Sequence, residues 1–191
     1  MLEKIIKQSR CYRKFDEKVE IPYKSLEKII DTIRFCPSAR NQQVLIYKII
    51  TDINLRSKIF PYLKWAGYLP DWQGPQQGER PTAYIIVATN TKRIINNDHW
   101  INTDIGIVAQ TILLLATEQG FGGCSIGAFN KKDISKIVNA PNFADIKLII
   151  ALGKPSQNIK IIEIEDNQSI KYWHKDNIHY VPKRKLKDIL F

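Results

Sequence analysis

The chain has 191 residues, enough to bury one core without disulfides or a structural metal. Hydrophobic residues make up 44%, which excludes a disordered chain, and the formal net charge of +10 leaves nucleic acid, an anionic surface or a phosphorylated ligand as candidate partners. No apolar run reaches the ~18–20 residues of a membrane span, and MLEKIIKQSR lacks an apolar leader core, so no membrane association and a cytoplasmic location are the default expectations.

In chain order, residues 2–8 (LEKIIKQ) put Leu2, Ile5 and Ile6 on one face of a short helix. After Pro22, Leu26, Ile29, Ile30 and Ile33 follow at helical spacing, and Pro37 stops the run. The turn-rich residues 37–43 (PSARNQQ) lead into 44–50 (VLIYKII), read as a buried strand. A short helix is expected near 52–60. Residues 61–81 hold four prolines, three glycines, two tryptophans and two tyrosines. They read as a long loop, either an aromatic lid or an aromatic plug on the core. Residues 82–89 (TAYIIVAT) form a second strand.

Residues 104–119 (DIGIVAQTILLLATEQ) carry the strongest helix signal, with Asp104 as candidate N-cap and Gly120 as stop. The helix is apolar nearly all round, which calls for burial on every side, in a core or a dimer interface. A glycine-rich stretch, 120–129 (GFGGCSIGAF), offers a short strand, 131–138 a helix and 146–152 (IKLIIAL) a third strand. The tail from about 156 reads as polar and weakly structured. Helices and strands intermix without βαβ alternation, so the expectation is one α+β domain over 1–191, a central sheet packed by helices.

Three cysteines (Cys11, Cys36, Cys124) and three histidines (His99, His174, His179) are scattered, without a disulfide framework or metal-ligand spacing. The sequence has no GxSxG, P-loop, GxGxxG or HExxH, so an enzyme here would lean on a cofactor. Arg10 and Arg13, three apart in SRCYRKF, can converge on one anion, as planar guanidinium forks suit phosphate. The amides and hydroxyl of 37–43 can read a heterocycle edge with alternating donors and acceptors. Lys183, Arg184 and Lys185 could complete a phosphate site from the other end of the chain. Each piece, alone, is equally a solvated turn or basic tail. No recognition motif accompanies the charge, so no nucleic-acid partner is expected.

Taken in order, SRCYRKF, PSARNQQ, GERPTAYIIVAT, DIGIVAQTILLLATEQGFGGCSIGAF, IALGKP and HYVPKRKL resemble segments of the nitroreductase family of flavoproteins, short single-domain type. The resemblance implies that family's fold, a central mixed, mostly antiparallel sheet packed by helices in an intertwined homodimer. It implies FMN held by Arg10, Cys11 and Arg13, by a C-terminal clamp of Lys183, Arg184 and Lys185, and by Ser125, Ile126 and Gly127 beside the reactive flavin edge. It also implies that Pro37, Ser38, Ala39, Asn41 and Gln43 reach the FMN bound mainly by the other subunit. The implied reaction is ping-pong, with NAD(P)H as transient electron donor and a small nitroaromatic- or quinone-like acceptor reduced through flavin N5. No side chain would act as a covalent catalyst. Trp65, Tyr68 and Trp72 are candidate covers for a planar substrate. Alternatives are a flavin-fragmenting or dehalogenating relative, or a non-catalytic flavin-binding or redox-sensing protein on the same fold. Cys11 where serine is usual, Ser9 for the first arginine and Val44-Leu45 for Pro-Trp are departures from the family pattern.

Overall fold

The computed structural model describes residues 1–94 and 100–191; His99 lies outside them. A main sheet is built around β5 (Ala144–Pro155), the longest strand, which pairs antiparallel with β3 (Ala83–Asn90), β4 (Gly122–Ile126) and β1 (Phe15–Asp16). β2 (Leu45–Ile50) continues the sheet beyond β3, also antiparallel. Alternation sorts the side chains of β3: Ala83, Ile85 and Val87 point to one core, Tyr84, Ile86 and Ala88 to another. Both faces are covered, so the strand reads as a continuous apolar run rather than an alternating one. Each isoleucine buried there contributes roughly 1.5–3 kcal/mol.

The first core is closed by α2 (Tyr23–Ile33) and α4 (Ile101–Glu118), with Leu26, Ile29 and Ile33 packed against Val108, Ile112 and Ala116. The second is closed by α3 (Ile53–Ile59), α5 (Lys131–Ile137) and the loop carrying Trp65. Asp52 and Asn130 cap these short helices, accepting from Leu55 N–H and Asp133 N–H. α1 (Leu2–Gln8) packs on α4.

Several expectations change. β2 is an edge strand and mostly half-buried, because nothing among the described residues pairs beyond it. Asp104 does not begin its helix: α4 starts a turn earlier, and the buried Asp104 carboxylate accepts from Ala39 N–H at 3.0 Å, capping the 37–43 loop instead. Within one chain, which does not test the dimer-interface alternative, α4 is only partly enclosed: Gly106 and Gln110 are exposed and Ile107 and Leu114 half-buried. The tail is ordered. β6 (Asn158–Ile164), β7 (Trp173–Lys175) and β8 (Ile178–Arg184) form a second sheet in the order β6-β8-β7, with β6 parallel to β8. Asp176 and Asn177, both with positive φ, make the tight turn between β7 and β8.

No helix among the described residues is long and apolar enough to cross a membrane, and none of their His, Cys, Asp and Glu side chains group as a metal site.

Candidate active site

The segment carrying Arg10 and Arg13 leaves α1 and lies against β4. Tyr12 N–H donates to the Gly123 carbonyl at 3.1 Å, and Cys11 bridges to Gly123. Glycine permits close approach on both sides of β4: a Cβ on Gly122 would sit 2.6 Å from the Tyr12 ring, and one on Gly123 would sit 2.0 Å from the Ala151 carbonyl oxygen of β5. Arg13 N–H donates to Gln157 Oε1 at 3.0 Å, fixing the backbone to the turn between β5 and β6. Arg13 Nη1 reaches the Cys11 carbonyl (3.4 Å) and His179 Nε2 (3.3 Å), and its guanidinium lies 4.8 Å from the Tyr172 ring centroid. Arg10 turns back to the Ile6 carbonyl, while its buried Nε has no partner.

The opposite wall comes from β8. Its alternation puts His179, Val181 and Lys183 on one face and Tyr180, Pro182 and Arg184 on the other. Together with Gln110 and Leu113 of α4, these two segments enclose a cavity of about 320 Å³ lined by Arg10, Cys11, Arg13 and Lys183. Among the described residues no carboxylate lines it, so its cations face a ligand unneutralised. The site therefore favours an anion with a bulky, partly apolar body, since Ile6, Leu113, Tyr172 and Val181 share the lining. Burial, the Arg13 guanidinium and then the His174 ring push His179 down to about 4, so its imidazole is neutral. Burial pushes the Cys124 thiol, behind the sheet, up to about 12, leaving it inert.

The other candidates lie elsewhere. Strand alternation and the chain's exit from β8 take Arg184 to Asp166 and Lys185 to Glu165, so the expected three-cation clamp reduces to Lys183. Pro37, Ser38 and Gln43 line a separate cavity of about 200 Å³ with Asp104 and Arg93. That loop is internally braced: Gln43 N–H donates to Ser38 Oγ and Gln43 Nε2 to Asn41 Oδ1, with Arg40, Asn41 and Gln43 at positive φ. Ser125 and Gly127 are exposed at the end of β4, and Ile126 is buried; none of the three lines the first cavity.

Trp65 is a core residue, packed on Phe60 and under Gly74, and covers no site. Tyr68 packs on Tyr172 and Trp72 on His174, so these two brace the rim of the C-terminal sheet. Sequence reasoning missed Gln110, Gln157, Tyr172 and His179. The signal for His179 was the pattern WHKDNIHY: a hairpin around Asp176-Asn177 places His174 directly opposite His179.

The Nitroreductase family model matches residues 6–154. The chain belongs to the nitroreductase family. A Methanothermobacter thermautotrophicus relative named "Putative NADH dehydrogenase/NAD(P)H nitroreductase" is 26% identical over 160 residues, covering 80% of this chain and 76% of the relative. Among solved structures, an FMN-dependent nitroreductase from Clostridium difficile R20291 superposes with a TM-score of 0.66 at 21% identity, covering 90% of this chain and 97% of that one. An Exiguobacterium sibiricum protein solved in complex with FMN superposes with a TM-score of 0.69 at 18% identity, covering 82% and 89%. These structures establish the nitroreductase fold, as expected from the order of motifs. In this nitroreductase-family chain, β8 and Lys183 lie beyond the matched residues, and it is the tertiary structure that returns them to Arg10 and Arg13.

Proposed function

We propose that this protein is an FMN-dependent oxidoreductase that uses NAD(P)H to reduce a small oxidised acceptor of the nitroaromatic or quinone class. One observation carries the reading: Arg10, Arg13 and Lys183, from opposite ends of the chain, line one cavity free of carboxylates. The donor set fits a flavin mononucleotide. Guanidinium forks suit a phosphate dianion, and the buried, unpartnered Arg10 Nε is a donor in want of an acceptor. The apolar part of the lining suits a planar ring system. When bound, FMN supplies the two-electron chemistry at N5; the chain's residues bind it, orient it and exclude water.

The relatives' names support the same reading, and so does the FMN held by the Exiguobacterium protein. In this reading the functional unit is a homodimer. The 37–43 loop of a second copy, with Pro37, Ser38, Ala39, Asn41 and Gln43, completes each cavity. Ser125, Ile126 and Gly127 lie towards the reactive edge of the ring. Cys11 occupies the phosphate end, where its thiol is a weaker donor than a hydroxyl.

The test is direct. Purified protein is expected to carry a flavin absorption spectrum, and to oxidise NADH or NADPH when a nitroaromatic or quinone is added. A colourless protein that binds no added FMN defeats the proposal. Bound FMN without NAD(P)H oxidation, whatever the acceptor, favours a non-catalytic flavoprotein instead.

A further inference from the structure

We propose that His179 is the positioning residue for Arg13: as a neutral hydrogen-bond acceptor it holds the guanidinium with its free edge toward the ligand phosphate. The inference rests on the reading of the cavity as an FMN site and goes beyond it, to what orients the phosphate-binding arginine.

An arginine side chain only donates, so the 3.3 Å contact between Arg13 Nη1 and His179 Nε2 requires Nε2 to be unprotonated. The proton of the neutral ring therefore sits on Nδ1, which is buried without a partner. A parallel contact repeats the logic one step out. Gln157 Oε1 accepts from Arg13 N–H, which leaves the Gln157 amide nitrogen to donate to His174 Nε2 at 3.3 Å. The two histidines face each other across the β7–β8 hairpin, with ring centroids 4.6 Å apart. One holds the arginine's side chain directly and the other holds its backbone through Gln157. Tyr172 packs on the His179 ring and lies under the guanidinium. Both hydrogens of Arg13 Nη1 are engaged, by Cys11 O and His179 Nε2, which leaves Nε and Nη2 as a two-pronged donor.

A positioning role through the phosphate must discriminate FMN from riboflavin, which lacks the phosphate. Flavin affinities are measured by fluorescence quenching of the stripped protein. His179→Phe keeps the ring and loses the acceptor; it is expected to weaken FMN about tenfold, the scale of one charge-assisted contact, and to leave riboflavin within about twofold. His179→Gln is expected to recover most of the loss. In an Arg13→Ala background the His179→Phe change adds nothing further. On the wild-type protein, two-bond ¹⁵N–¹H spectra of the histidines are expected to show His179 with an unprotonated Nε2 whose shift moves with FMN and not with riboflavin. Equal losses for both flavins, no loss for either, or an Nε2–H tautomer overturns the positioning role while leaving the FMN site intact. Wild-type protein that binds neither flavin overturns the site and this role together.

Discussion

Arg13 and Lys183 lie 170 positions apart in the chain and line one cavity, whereas Arg184, adjacent to Lys183, is engaged by Asp166. Charge at these positions is thus not interchangeable. Arg13→Ala removes the fork that faces the cavity and is expected to weaken FMN about 10- to 100-fold, since hydrogen bonds to charged groups are worth about 1.5–3 kcal/mol each. Arg184→Ala removes an exposed ion pair outside the cavity and is expected to change FMN affinity by less than twofold. Titration of both variants with FMN decides between a local site and a general attraction of the +10 chain for anions.

The histidine pair adds a pH signature. Burial, then Arg13 and His174, push His179 down to about 4; burial, then Lys14 and Arg13, lower His174. An unfolded imidazole titrates near ~6.5. Between about pH 6.5 and 4 the unfolded chain binds protons that the folded chain refuses, so stability falls as pH drops through that window and levels off below it. Urea unfolding midpoints are expected to decline from pH 7 to 5, and less steeply in His179→Phe. Equal slopes would mean that His179 titrates alike in the folded and unfolded protein.

Among the elements, β4 has the tightest constraint. Gly122 lies under the Tyr12 ring, so the arginine-bearing segment can rest on the strand, and Gly123 lies against the Ala151 carbonyl of β5 on the other side. Gly123→Ala places a Cβ against backbone that cannot move without breaking the β4–β5 ladder. Overpacking of this kind costs about 1–3 kcal/mol or more. The expected outcome is a lower denaturation midpoint together with lost FMN affinity; an unchanged midpoint would show that β4 and β5 spread to accept the added carbon.

The elements that could be read in the sequence share a cause. α2 carries its apolar side chains at helical spacing, and β3 and β5 are short continuous apolar runs rich in isoleucine, as strands covered on both faces are, so local pattern and tertiary burial agree. The C-terminal sheet was only faintly legible: the tail shows a short alternating stretch at 159–165, but the pairing that makes it a sheet is parallel and joins β6 to β8 past β7, which no local pattern fixes. Asp104 misled for a different reason. An acidic residue before an apolar run looks like a cap, and Asp104 does cap a backbone N–H, but that of a loop 65 positions earlier. In the candidate site, Arg10, Arg13 and Lys183 were visible as charge in motifs, while Tyr172 and His179 were hidden because their roles depend on the hairpin register.

At the scale of the whole molecule, the single chain leaves apolar surface uncovered at both ends. Leu2 and Ile6 of α1 are exposed, as are Leu186, Ile189, Leu190 and Phe191. α4 likewise leaves Gly106 and Gln110 exposed and Ile107 and Leu114 half-buried. Exposed apolar side chains of this kind are where a second copy can associate, and Gln110 also lines the cavity, so a partner on α4 would lie beside that cavity. The expected state is a homodimer whose assembly and FMN affinity are linked. Sedimentation equilibrium should report the dimer, and FMN should dissociate on dilution as protomers separate. Deleting residues 186–191 should shift both equilibria in the same direction, since it removes apolar side chains and leaves Lys183 in place. A monomer that holds FMN at every concentration would show that one chain's cavity suffices, and the 37–43 loop would then need another role.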